Sequence, residues 1–198
     1  MTKFIPTYDA PSAKVLPPAT LAHVVLRTAD LEKMTAFYVR FLGGTVTYRN
    51  KMIAFITFDH EHHRIALIGI PETAAKAPNT CGLEHIAFAF SSLADLLHAY
   101  RQRKSNGINA VWCVNHGPTT SIYYKDPDGN MLETQVDNFD TVEEATAFMN
   151  SDKFAENPIG TDFDPEGLIR AINEGASEKL LKVRHEIGPR GLPDFAAM

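Results

Sequence analysis

Cysteine is scarce in this chain: two residues, Cys81 and Cys113, in 198. A disulfide scaffold needs more, so the fold has to rest on an apolar core, and two free thiols suit a reducing cytosol. Long apolar runs are missing as well. No stretch approaches the length of a membrane-spanning helix, and the N-terminal residues MTKFIPTYDAPSAKVLPPAT have no apolar leader segment. They read as a polar, Pro-containing arm over residues 1–19. Basic residues are outnumbered, 19 Lys and Arg against 24 Asp and Glu, and they form no stripe. That speaks against nucleic acid as a partner. The apolar fraction, 44%, is ordinary for a globular protein, and the length allows one large domain or two small modules. Histidine, by contrast, is plentiful: eight in all, with His60, His62 and His63 clustered in DHEHHR.

The chain repeats itself. LAHVVLRTADLEKMTAFYVRFLGG, from Leu21, and LEHIAFAFSSLADLLHAYRQRKSNG, from Leu83, share one pattern: a strand with a central histidine, a short turn, an amphipathic helix and a small-residue stop. Asp30 is placed to cap the first helix, about Leu31–Leu42. Short strands follow each helix, over Thr45–Tyr48, Met52–Phe58 and Arg64–Ile70 in the first copy. The pattern predicts an α+β fold of two βαβββ modules, residues 20–70 and 81–137, joined by a linker at 71–80. His23 and His85 hold matched places. Paired edge to edge, the modules would form an open barrel-like sheet. Residues 138–198 change character: short helical stretches at Thr141–Asn150, Pro165–Glu174 and Glu178–Arg184, with a loop at Ser151–Asp164. They read as a helical arm packed on the modules or on another subunit of a homo-oligomer.

The second module ends in a hairpin. Asp126-Pro127-Asp128-Gly129 suits a type I turn followed by a left-handed residue. In that register Tyr123 lies opposite Glu133, and Ser121, Tyr123, Glu133 and Gln135 share one face. Ile122, Tyr124, Leu132, Thr134 and Val136 take the other, apolar enough to be a core face. A mid-sheet carboxylate needs a partner. The first module has Leu67 roughly where Glu133 would be, so the repeat supplies two histidines and one carboxylate. Two imidazoles and one carboxylate on one side of a metal suit Fe(II), with open positions opposite, although ligand type alone admits Mn(II) too. The bland alternative is a set of hydrogen-bonded core histidines.

The module pair with His23, His85 and Glu133, and the turn YYKDPDGNMLE, resemble the vicinal oxygen chelate superfamily of glyoxalases, resistance proteins and dioxygenases. EHHRIAL and HGPTTSIYY are similar to the stretches of type I extradiol ring-cleavage dioxygenases that carry further active-site histidines and a tyrosine. The tail with NPIGTDFDPEGL looks like that of members with a single module pair. The resemblance implies an Fe(II) enzyme that opens a catechol, for example one like biphenyl-2,3-diol, with O2. It implies His23, His85 and Glu133 as metal ligands. His116 and Tyr123 would act on the substrate oxygens, and His63 on the oxygen side. On residues alone, His63 could be a solvated turn residue, and His116 a loop hydrogen-bonder. Trp112 and Phe55 could line a pocket or fill the core. A glyoxalase-type lyase or isomerase, and a binding protein of the resistance type, are the competing functions.

Overall fold

The structure, a computed structural model, describes residues 15–77 and 80–193. Most of the N-terminal arm and two linker residues therefore lie outside the described residues. The first module runs β1 (Val24–Thr28), α1 (Leu31–Leu42), β2 (Thr45–Arg49), β3 (Ile53–Thr57) and β4 (Ile65–Gly69). The second runs β5 (His85–Ala89), α2 (Leu93–Ser105), β6 (Trp112–Asn115), β7 (Thr119–Lys125) and β8 (Met131–Asp137). The arm adds α3 (Val142–Met149), α4 (Asp152–Glu156), β9 (Thr161–Asp162), α5 (Pro165–Asn173) and α6 (Glu178–Leu181). The strands form two mixed sheets, β1-β4-β3-β2 and β5-β8-β7-β6-β9, rather than a closed barrel.

Local chemistry sets the helix ends. The Asp30 carboxylate accepts from Lys33 N at 2.9 Å, and Gly43 ends α1 in the left-handed region at φ 63°. Ser92 accepts from Asp95 N at 3.0 Å and starts α2. Both helices turn their apolar stripes onto the sheets. Met34, Tyr38 and Phe41 of α1 are buried with Leu93, Leu96 and Leu97 of α2 and with Ile122, Tyr124, Leu132 and Val136 of the hairpin. Each such side chain contributes about 1.5–3 kcal/mol of burial. One core thus spans both modules. Two polar contacts pin it: the Tyr38 hydroxyl donates to Asp126 Oδ2 at 3.0 Å, and the buried Arg103 donates to the Phe41 carbonyl at 2.9 Å.

The hairpin register is the expected one, Tyr123 opposite Glu133, with Gly129 at φ 83° and Gly129 N donating to Asp126 O at 3.0 Å. The match between the modules needs a correction of one residue. Val25 pairs with Ala66 in β1–β4, as Ala87 pairs with Glu133 in β5–β8. The counterpart of Glu133 is therefore Ala66, and Leu67 points into the core on the other face. Ladder partners share a face, so Tyr48, Phe55 and Ala66 correspond to Trp112, Tyr123 and Glu133. The stretch 151–164 also departs from the expected loop. It holds α4 and β9, and β9 pairs antiparallel with β6 through Asn115↔Thr161 and Val114↔Asp162. A two-residue strand has too short a pattern to be read from sequence.

Candidate active site

The parallel pairing of β5 with β8 sets His85 at one strand's start and Glu133 two residues inside the next. Their side chains meet, Nε2 to Oε2, at 3.0 Å. The Glu133 side chain is 6% exposed and that of His85 37%, so the pair opens to solvent on the histidine side. Burial pushes the Glu133 carboxyl up, but the hydrogen bonds from His85 and Ser121 outweigh it and hold the group below its ordinary value. The hydrogen bond to Glu133 raises His85 in turn. This arrangement fits a metal. Ligand atoms about 2.1 Å from one ion and a right angle apart are themselves about 3 Å apart.

Beside this pair stands a second one. The Asn115–Gly117 turn projects His116, whose Nε2 lies 2.9 Å from the Tyr123 hydroxyl. His116 Nδ1 faces the Ile159 carbonyl, which can only accept, so Nδ1 carries the proton and Nε2 receives from Tyr123. The Glu133 carboxylate is near enough to the Tyr123 hydroxyl to act on its pKa. Burial, with the Glu133 charge next, raises the Tyr123 pKa, and burial lowers that of His116. At neutral pH both are uncharged: a hydroxyl donor facing a basic imidazole, with the Glu133 charge nearby. Trp112 stacks on Tyr123 with ring centres 5.0 Å apart.

His85, Trp112, His116 and Tyr123 line a cavity of about 250 Å³ with Glu84, Met131, Pro158, Ile159, Leu192 and Pro193. The wall is mostly apolar and aromatic with a few polar groups, the usual make-up of a ligand site. The wall owes its shape to a glycine. Gly160, at φ 106°, lies so close to Asn115 O and His116 Cα that a Cβ would overlap them. That contact lets the 157–160 segment present the Ile159 carbonyl to His116.

The first module's residues gather separately. His63 is buried, whereas His60 and His62 are exposed. His63 stacks on Phe55 at 4.4 Å and lies 4.5 Å, ring to ring, from His23. Loss of solvent and then the neighbouring His23 and His62 lower its pKa. His23 is exposed and immediately precedes edge strand β1, as His85 opens edge strand β5. The structure thus brings together His85, Glu133, Tyr123 and His116, and apart from them His23 and His63. Among the described residues no three His, Cys, Asp or Glu side chains lie close enough to hold one metal ion.

Sequence reasoning missed several residues that shape the site. Arg184, with its side chain 1% exposed, donates to the carbonyls of His116 (3.1 Å), Asn157 (2.7 Å) and Lys153 (3.0 Å) and pairs with Glu186. Asp162 accepts from the Trp112 indole N–H at 2.7 Å. Asp162 lies in a two-residue strand and Arg184 in an irregular stretch, and only tertiary contacts reveal them.

Comparison with known proteins agrees with the fold. The profile of the Glyoxalase/Bleomycin resistance protein/Dioxygenase superfamily matches residues 20–134. Biphenyl-2,3-diol 1,2-dioxygenase 2 of Rhodococcus globerulus is 46% identical over 155 residues, 78% of this chain and 82% of that protein. Biphenyl-2,3-diol 1,2-dioxygenase 3 of the same organism is 45% identical over 166 residues, 83% and 87% of the two chains. Among solved structures, a domain of the same superfamily from Frankia sp. EAN1pec aligns with TM-score 0.52 at 18% identity, over 61% of this chain and 99% of that one. Lactoylglutathione lyase from Agrobacterium tumefaciens aligns with TM-score 0.51 at 20% identity, over 61% and 96%. At such identities the structures speak for the fold alone. The repeat, the two sheets and these matches together place the chain in the Glyoxalase/Bleomycin resistance protein/Dioxygenase superfamily.

Proposed function

We propose that this chain is an Fe(II)-dependent extradiol dioxygenase that opens the ring of a catechol beside its diol, placing both atoms of O2 in the product. The observation that carries this reading is that His85, held by Glu133, and the His116–Tyr123 pair line one cavity beside Trp112. The relatives named as biphenyl-2,3-diol dioxygenases support the same chemistry. His85 and Glu133 would hold the metal, with His23 of the first module as third ligand although it stands apart from them in this chain; Mn(II) suits the same donors. The bound metal supplies the charge that acidifies the diol and the electrons that activate O2.

The chain's own groups do the rest. Trp112, Met131 and Ile159 exclude water around the aromatic ring. The Tyr123 hydroxyl donates to a substrate oxygen. His116, its Nδ1 proton held by Ile159 O, receives a proton at Nε2 and returns it later. His63, buried and with its pKa lowered, would serve as a neutral base on the oxygen side. Ala66 at the counterpart of Glu133 leaves the repeat with a single carboxylate, which favours this reading over a glyoxalase-type site built on two. The thiols Cys81 and Cys113 are both free, and no helix of the described residues is long and apolar enough to cross a membrane. Both observations support action in the reducing cytoplasm. Exposed apolar side chains such as Leu21, Val25, Tyr48 and Met52 on the first module support a homo-oligomer.

The test is direct. The protein is loaded with Fe(II) without oxygen, mixed with catechols and then exposed to air. Oxygen uptake with a coloured ring-opened product is expected; bound iron with no uptake on any catechol refutes the proposal. Glu133→Ala and His23→Ala should each lose iron, and normal iron binding by either variant removes that residue from the ligand set.

A further inference from the structure

One wall of the cavity belongs to neither module. Leu192 and Pro193 come from the segment after α6, and Pro193 also borders the wider groove beneath the linker. Two arginines fasten this segment in different ways. Arg184 is sunk into the fold and grips three carbonyls, one of them that of His116. Arg190 forms a two-pronged pair with Asp162, Nη1 to Oδ1 at 2.8 Å and Nη2 to Oδ2 at 2.9 Å, and also reaches the Gly160 carbonyl at 3.2 Å. The same Asp162 Oδ1 accepts from Trp112 Nε1, and the Arg190 guanidinium lies 5.8 Å from the Trp112 ring centre. One carboxylate therefore ties the aromatic floor of the cavity to the tail that walls it.

The Asp162 side chain is 58% exposed and that of Arg190 21%. A pair this wet adds little stability. Its forked geometry does fix the direction of the chain on either side of Arg190. Leu192, two residues on, is 77% exposed although its side chain lines the cavity. Among the described residues it is an apolar group left largely uncovered. A diol carrying a second ring would cover it and gain apolar contact.

We propose that Arg190–Pro193 is the specificity-determining wall of this site, set in place by the Asp162–Arg190 pair, and that it selects catechols with a bulky apolar substituent. The proposal rests on the reading of the cavity as a catechol site. Leu192 and Pro193 are the contacts; Asp162 and Arg190 are positioning residues.

Trp112 is the only tryptophan of the chain and lies at the junction, so its fluorescence reports binding without turnover. The iron-loaded protein is titrated without oxygen with catechol and with biphenyl-2,3-diol, and the ratio of the two dissociation constants is the readout. Leu192→Ala and Arg190→Gln should each cut the preference for biphenyl-2,3-diol by roughly tenfold, the scale of a lost apolar contact in a pocket. Arg190→Lys, which keeps the charge but not the fork, should fall between. A merely structural tail would weaken both ligands alike, so a ratio within about twofold of wild type in both variants overturns the proposal. If the wild-type protein binds neither diol, the catechol reading itself fails and the proposal with it; that result is distinct because no ratio exists to compare.

Discussion

Replacing Tyr123 by Phe removes one oxygen atom from the centre of the proposed site. The Tyr123 hydroxyl donates to His116 Nε2 at 2.9 Å, with the Glu133 carboxylate nearby. Glu133 keeps His85 and Ser121 as donors, and His116 keeps its bond to Ile159 O. The ring, 5% exposed and stacked on Trp112 at 5.0 Å, needs no repacking. The stability cost is therefore that of one lost hydrogen bond and one weakened acceptor, about 1–2 kcal/mol. The catalytic cost is larger. A positioned proton donor contributes about 10²–10⁴ in rate, or roughly 3–5 kcal/mol of barrier. Burial and the Glu133 charge raise the Tyr123 pKa, so the hydroxyl stays protonated through the neutral range and its loss is felt at every working pH. Oxygen uptake on a saturating catechol should fall at least about a hundredfold, while bound iron per chain stays at the wild-type level. A fall of less than about tenfold would remove Tyr123 from the chemistry. Loss of iron in proportion to activity would show instead that the hydroxyl supports the metal ligands.

Tyr38→Phe should destabilise the protein by about 1.5–3 kcal/mol in urea unfolding, because it removes a buried bond to the Asp126 carboxylate. An unchanged midpoint would mean that the three bonds Asp126 receives from Asp128 and Asn130 suffice. Gly160→Ala puts a side chain at φ 106° against Asn115 O and His116 Cα. It should cost about 1–3 kcal/mol and lower turnover as well, since the Ile159 carbonyl is pushed from His116; activity and stability both at wild-type values would contradict this. The Cys113 thiol is pushed up to about 12 by burial and by Asp162 and Asp164, so it remains protonated below that pH, whereas Cys81 is exposed. Ellman titration of the native protein at pH 8 should find one fast thiol, the half-buried Cys113 reacting only after unfolding; two fast native thiols would refute this shielding of Cys113.

Much of the architecture was legible because it rests on short-range rules. The helical spacing of Leu31, Met34, Tyr38 and Phe41 and the Asp30 cap defined α1 to the residue, Leu31–Leu42. The turn Asp126–Gly129 set the hairpin register, and the register set Tyr123 against Glu133. The repeat marked His23 and His85 as a matched pair. The counterpart of Glu133 was misread by one residue because parallel register between distant strands is not encoded in either strand; it is Ala66, as the β1–β4 ladder determines. Beyond local reach lay the whole support of His116. Ile159, Gly160 and Arg184 are 43, 44 and 68 residues away in the chain, and nothing in their neighbours' periodicity announces them. The sequence by itself determined two βαβββ units and the residue types of a metal-dependent site. Only the tertiary structure decided that His85, Glu133, Tyr123 and His116 stand together, and that the C-terminal arm closes on them. Periodicity and turn chemistry act over a few residues, whereas a cavity wall is made by segments that meet only once the core has packed.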